Sequence, residues 1–265
     1  MPARRLHSAA NVCGANPRKK EFANNSLQII QPLFINFNNR FLSTVIFKST
    51  KMESFGGSQR TVSNKESIQL LTTIALIGIC LFIILIIILH FLPTGYNPLR
   101  RPTSEYAVGK YGFLMTIAFL SMSVGSFTLV IGLYKGILKS ARPKIGLILL
   151  TIWSVGLLIA MSFPIDLDDT DPTMHGRIHR VNGPLIFLSL TIGAILISVG
   201  FKRDENWRSV YRPAITLSMI MLFIFISVIV SFATGLSYEG LLQRFYLITF
   251  SAWFIIVALY LRRIA

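Results

Sequence analysis

From Ile79 to Leu89 the chain carries no polar atom beyond the thiol of Cys80. A run of this kind inside a longer apolar stretch has few homes other than the hydrocarbon core of a bilayer, which takes roughly 20 residues to cross as helix. Five further stretches follow at similar length. The six run about Ile68 to Leu92, Tyr111 to Tyr134, Ile145 to Ile165, Pro184 to Phe201, Pro213 to Gly235 and Leu241 to Leu261. Helix is the required form, because isolated strands leave backbone groups unsatisfied in lipid. The expected fold is therefore an all-α, polytopic transmembrane helix bundle of about six spans. Only 14% of the residues are charged, against about a quarter in a soluble domain.

Prolines 93, 143, 164, 184 and 213 fall at the limits of these stretches and read as helix starts or stops. Gly132 with Gly136, and Ser189 with Gly193, place small residues on one helix face and favour close helix contact.

The formal charge of +15 is distributed as loops of a membrane protein would distribute it. Short segments on the side of the N-terminus hold twelve Lys and Arg, among them Lys135, Lys139, Arg142, Lys144, Lys202, Arg203, Arg208 and Arg212. The opposite side holds six: Arg100, Arg101, Lys110, Arg177, Arg180 and Arg244. This excess predicts that both termini are cytoplasmic. No basic patch interleaved with exposed aromatics occurs, so nucleic acid is not an expected partner; membrane lipids are. Cys13 and Cys80 make neither a disulfide framework nor a soft-metal site.

Residues 1–66 read as an N-terminal extension, and 67–265 as the six-helix transmembrane domain. The extension is polar and basic, and Met52 opens a second start of ordinary appearance. It reads as a disordered tail, an upstream stretch not natively translated, an organellar targeting peptide or a cytoplasmic arm.

Nearly every residue capable of chemistry lies on the side opposite the termini. His175 and His179 are four apart, so a helix started by Asp171-Pro172 would put both, with Asn182, on one face. Two imidazoles at this spacing suit a zinc-like divalent metal if carboxylates complete the set, and Asp166 and Glu105 are the nearest in sequence. The competing expectation is a hydrogen-bond network that ties loops to helices. Asp168, Asp169 and Asp171 are too close together to face one centre and read as solvated or capping residues. Arg244 would pair with Glu105 or Glu239, or meet a lipid phosphate. No Asp, Glu, Lys or Arg occupies the middle of a span, which argues against an ion-coupled transporter.

Ser104-Glu105-Tyr106-Ala107 with Gly109 and Tyr111-Gly112, Phe163-Pro164-x-Asp166, His175-Gly176-x-x-His179 and Gly240-Leu241-x-Gln243-Arg244 follow one another along the chain. Together they resemble the domain-of-unknown-function family numbered 998, six-span membrane proteins mostly from prokaryotes, over roughly residues 70–262. The resemblance implies that Ser104, Glu105, Asp166, His175, His179 and Arg244 form a recurring polar set, and that the cell membrane, as a prokaryotic cytoplasmic membrane, is the default location. It carries no activity with it. One expectation is a metal-dependent hydrolase acting on a lipid or lipid-linked group. His175, His179 and Asp166 would hold the metal, Glu105 would be general base and Ser104 would orient the substrate. Arg244, Gln243 and Tyr106 would bind an anionic headgroup. The alternative is a non-catalytic lipid-binding, sensing or scaffolding protein.

Overall fold

The structure is a computed structural model that describes residues 57–167, 171–235 and 238–265. Among these residues it contains six α-helices, a short 3-10 turn and no strand. The helices are α1 (Gly57–Phe91), α2 (Gly112–Gly136), α3 (Lys144–Ser162), α4 (Met174–Phe201), α5 (Arg208–Thr234) and α6 (Glu239–Ile264). All six are long and apolar enough to cross a membrane. The shortest, α3 with 19 residues, rises about 28 Å at 1.5 Å per residue, close to the thickness of a hydrocarbon core.

Each helix packs on its neighbours in chain order, and α6 closes the ring against α1. The start of α1 and the end of α6 share one end of the bundle, the terminal end, with loops 137–143 and 202–207. Loop 92–111 and residues 163–167 and 171–173 lie at the far end. The most extensive interface joins α1 to α2. There a Cβ on Gly78 would stand 2.5 Å from the Ser121 carbonyl oxygen and 2.9 Å from the Gly125 Cα, so only glycine allows the two backbones to meet. Gly132 and Gly136 both lie against Leu261 of α6, as their spacing predicts.

The interior is filled by aromatic rings, with Trp153 5.3 Å from Phe250 and Phe187 4.9 Å from Tyr246. Hydroxyl bonds cross between helices at matched depths. Ser126 pairs with Ser154 at 2.8 Å, Thr191 with Tyr246 at 2.7 Å and Ser198 with Ser218 at 3.1 Å. These satisfy polar groups that lipid could not. At the terminal end Asp204 is fully buried and accepts the backbone N–H groups of Leu138 at 2.9 Å and Asn206 at 3.0 Å, which ties one loop to the other. Trp207 stacks on Phe201 and donates its indole N–H to the Gly136 carbonyl at 3.3 Å.

Three sequence expectations change. Pro184 and Pro213 lie inside α4 and α5 rather than at their starts. Hydropathy marks where a helix enters lipid, whereas its opening turns continue outward as polar residues such as His175–Gly183 and Arg208–Arg212. The start of α4 is capped by Thr173, not Asp171. Finally, α1 reaches back to Gly57, within the segment read as an extension. Residues 1–56, Asp168 and Asp169 lie outside the described residues.

Candidate functional site

Among the described residues, the far end carries two polar clusters built on different side chains. The first is built on Arg244, in the second turn of α6. Its Nε donates to His90 Nε2 at 2.6 Å, and one terminal nitrogen donates to the Arg101 carbonyl at 3.0 Å and the Gly240 carbonyl at 2.8 Å. The other terminal nitrogen donates to the Tyr106 hydroxyl at 3.2 Å. Gln243, one residue earlier, accepts from the Thr103 backbone N–H at 2.6 Å and the Thr103 hydroxyl at 3.1 Å. The Leu241 N–H adds a bond to the Leu99 carbonyl at 3.0 Å. Loop 92–111, with its 3-10 turn Thr103–Ala107, is thereby strapped over the start of α6.

Gly240 makes this approach possible. A Cβ there would stand 2.5 Å from the Arg101 carbonyl oxygen and 2.6 Å from that of Pro98. Ser104, Glu105 and Tyr106, within the strap's 3-10 turn, are all buried. Glu105 pairs with Arg101 at 2.9 Å, so the expected pairing of Arg244 with Glu105 or Glu239 gives way to carbonyl, hydroxyl and imidazole acceptors. The helix geometry explains this: Arg244 points back along α6 toward Gly240 and meets the loop backbone before it meets an acid. Burial pushes the Tyr96 phenol above its ordinary range, with the Glu105 charge adding to the effect and Arg101 partly offsetting it. Its hydroxyl donates to the Val108 carbonyl at 3.0 Å.

The second cluster joins α3 to α4. Asp166 accepts the Thr173 backbone N–H at 2.8 Å on one oxygen and the Thr173 hydroxyl at 2.7 Å on the other. The Thr173 hydroxyl in turn accepts the Gly176 N–H at 3.1 Å, capping α4. Gly176 faces the carboxylate so closely that a Cβ would overlap it. Partial burial raises the Asp166 pKa, but the two Thr173 bonds and the charges of Arg180 and His175 outweigh that and hold it below the usual carboxylate range.

The two histidines separate. His179 is buried with Nδ1 2.8 Å from the Phe163 carbonyl, and Asn182 is buried below it, donating to the Gly156 carbonyl at 2.9 Å. His175 is exposed, its ring edge-on to Phe163 at 5.3 Å. Among the described residues no group of three or more His, Cys, Asp or Glu side chains is arranged to hold a metal ion. A shallow apolar hollow of about 390 Å³ on the outward face of α5, lined by Ile215, Thr216, Met219, Ile220 and Phe223, includes no residue of either cluster.

Thus Ser104, Glu105, Tyr106, Gln243 and Arg244 come together, and Asp166, His175 and His179 form a separate group. Residues that sequence reasoning gave no role complete the clusters: His90, Arg101 and Thr103 in the first, Thr173 in the second. His90 carried a signal, as the one titratable side chain near the end of the first apolar run.

A family model described as a protein of unknown function (DUF998) matches residues 76–260. The chain belongs to the DUF998 family. The match begins within α1 and ends within α6, so it spans both clusters of this DUF998 protein. No curated protein and no solved structure matches it.

Proposed function

We propose that this integral membrane protein is non-catalytic, of the sensing or scaffolding class, and that its far-end polar residues lock loops to helices. Its seat would be the cell membrane, with lipid against its apolar faces and both termini in the cytoplasm. The observation that carries the reading is Arg244. Four of the five N–H donors of its guanidinium are committed to acceptors within the protein. A headgroup-binding arginine would instead keep its fork free for an anion. The same commitment holds in the second cluster, where both Asp166 oxygens serve Thr173. The excess of bases at the terminal end supports the orientation.

Elemental analysis of gently purified protein tests the reading. The expected result is no stoichiometric divalent metal, together with His175→Ala, His179→Ala and Arg244→Ala variants that change only thermal stability in detergent. A stoichiometric metal that is lost in the histidine variants would overturn it in favour of metal-dependent hydrolysis. For orientation, a cysteine at exposed Asn97 should react with impermeant reagent in intact cells, and one at exposed Ser140 only in inverted membranes; the reverse pattern overturns it.

A further inference from the structure

We propose that the terminal end of α2 and α3 seats an anionic phospholipid, with Arg142 as the group that meets its phosphate. The inference rests on the chain being embedded in a bilayer and does not depend on the far-end lock. It starts from a contrast between two arginines. Arg244 commits four of its five N–H donors within the protein. Arg142 finds one acceptor among the described residues, the Ile137 carbonyl at 3.2 Å, and its Nε is buried with no acceptor there. Its guanidinium carbon lies 4.1 Å from the centre of the Tyr134 ring. Tyr134 sits in the last turn of α2 and is exposed. A tyrosine at the end of a span marks the headgroup level, and its ring face holds the cation there.

Other bases gather at this end. Lys139 in the same loop and Lys144 at the start of α3 are exposed. The bond from the Leu138 N–H to Asp204 ties this loop to loop 202–207, and Pro143 packs against Gly200. Exposed Lys202 and Arg203 therefore lie at the same end. The buried Asp204 spends one carboxylate oxygen on Leu138 and the other on Asn206, both backbone donors. Residues 1–56 bring no cancelling surplus, with eight Lys and Arg against two acids. Basic surfaces between helices at a membrane face attract anionic headgroups, and a guanidinium suits phosphate because its parallel donors match two oxygens.

The apolar part of the ligand has a seat as well. Ile145, Ile148, Ile152 and Val155 of α3 are exposed and stand three or four residues apart. They form one stripe that starts beside Lys144 and runs about 15 Å along the helix. Bases at headgroup level above an aliphatic stripe match a phospholipid, with phosphate at the boundary and an acyl chain along α3. A soluble anion would use the bases and leave the stripe idle.

Native mass spectrometry of the full chain in detergent tests this, titrated with dioleoyl phosphatidylglycerol and separately with dioleoyl phosphatidylcholine. The wild type should hold the first phosphatidylglycerol about fivefold or more tighter than phosphatidylcholine, whose own cation offsets its phosphate. Arg142→Gln should weaken phosphatidylglycerol by about fivefold and leave phosphatidylcholine unchanged. Lys110→Gln makes the same charge change at the far end and should keep the wild-type preference. Equal affinity of the wild type for the two lipids overturns the proposal, as do equal losses in the two variants. Soluble glycerol 3-phosphate that displaces the lipid at equal concentration overturns a lipid as the occupant. A phosphatidylglycerol with a photoreactive headgroup serves even if Arg142→Gln fails to fold: it should label residues 134–148 of the wild type, and labelling confined to other segments overturns the site. Arg244→Ala, which opens the lock, should keep the lipid preference, so the two readings fail separately.

Discussion

Arg244→Ala removes four donated hydrogen bonds of 2.6 to 3.2 Å, two to loop 92–111, one to His90 at the end of α1 and one to Gly240 within α6. In water such bonds to a charged group are each worth about 1.5–3 kcal/mol. At a membrane protein's helix ends the measured couplings are smaller, about 0.6 kcal/mol on average, because the freed groups find other partners. Arg244 is also partly exposed, so water can reach the abandoned acceptors. Three or four bonds on the smaller scale put the cost at about 2 kcal/mol. Arg244→Lys keeps the charge but gathers its donors at one point, and should recover about half of that. Equilibrium unfolding in mixed detergent micelles gives the free energies, and proteolysis or hydrogen exchange at residues 97–108 shows where the loss is felt. A cycle with Tyr106→Phe should return a coupling of about 0.6 kcal/mol. An Arg244→Ala variant within about 0.5 kcal/mol of wild type would refute the account of Arg244 as the hub. So would a loss that leaves the loop as protected as before.

Gly240→Ala should cost about 1–3 kcal/mol in the same unfolding assay, because its methyl group meets the Arg101 and Pro98 carbonyl oxygens rather than yielding side chains. Asp204→Ala should cost about 1–3 kcal/mol by removing the buried acceptor of the Leu138 and Asn206 amides, and should loosen the terminal end while the far end stays intact. The Asp166 cap should depend on acid in a set direction. A carboxylate whose folded pKa is depressed contributes stability that is present above its unfolded value, about 3.9, and is lost as pH falls through the lower folded value. Exchange of the Thr173 and Gly176 amides should therefore be flat above about pH 5 and rise below about pH 4, and Asp166→Ala should remove that rise.

The spans were legible because hydrophobic run length is a direct physical requirement of the bilayer, and each apolar stretch lies within or overlaps a helix of the structure. The polar opening turns of α4 were not, since hydropathy falls there although the backbone stays helical. Arg244 stood out as an arginine just inside the sixth apolar stretch, but its partner His90 lies 154 residues away and the packing of α6 on α1 brings them together. Asp204 and Glu205 are indistinguishable neighbours in a basic loop, yet one is fully buried and the other exposed. The His175 and His179 spacing was visible, whereas the difference in their burial depends on where α3 packs.

The strap over α6 also sets an order of assembly. Thr103 and its acceptor Gln243 are 140 residues apart, so the loop is synthesised long before its anchor exists. At about 5–20 residues per second, translation alone holds the two apart for roughly 7–28 seconds. During that interval loop 92–111 has no α6 to rest on, and the first five helices must wait in the membrane as an open arc. The arrival of α6 both closes the ring and draws loop 92–111 down. A chain stopped before Glu239 would thus be incomplete at its beginning as well as at its end.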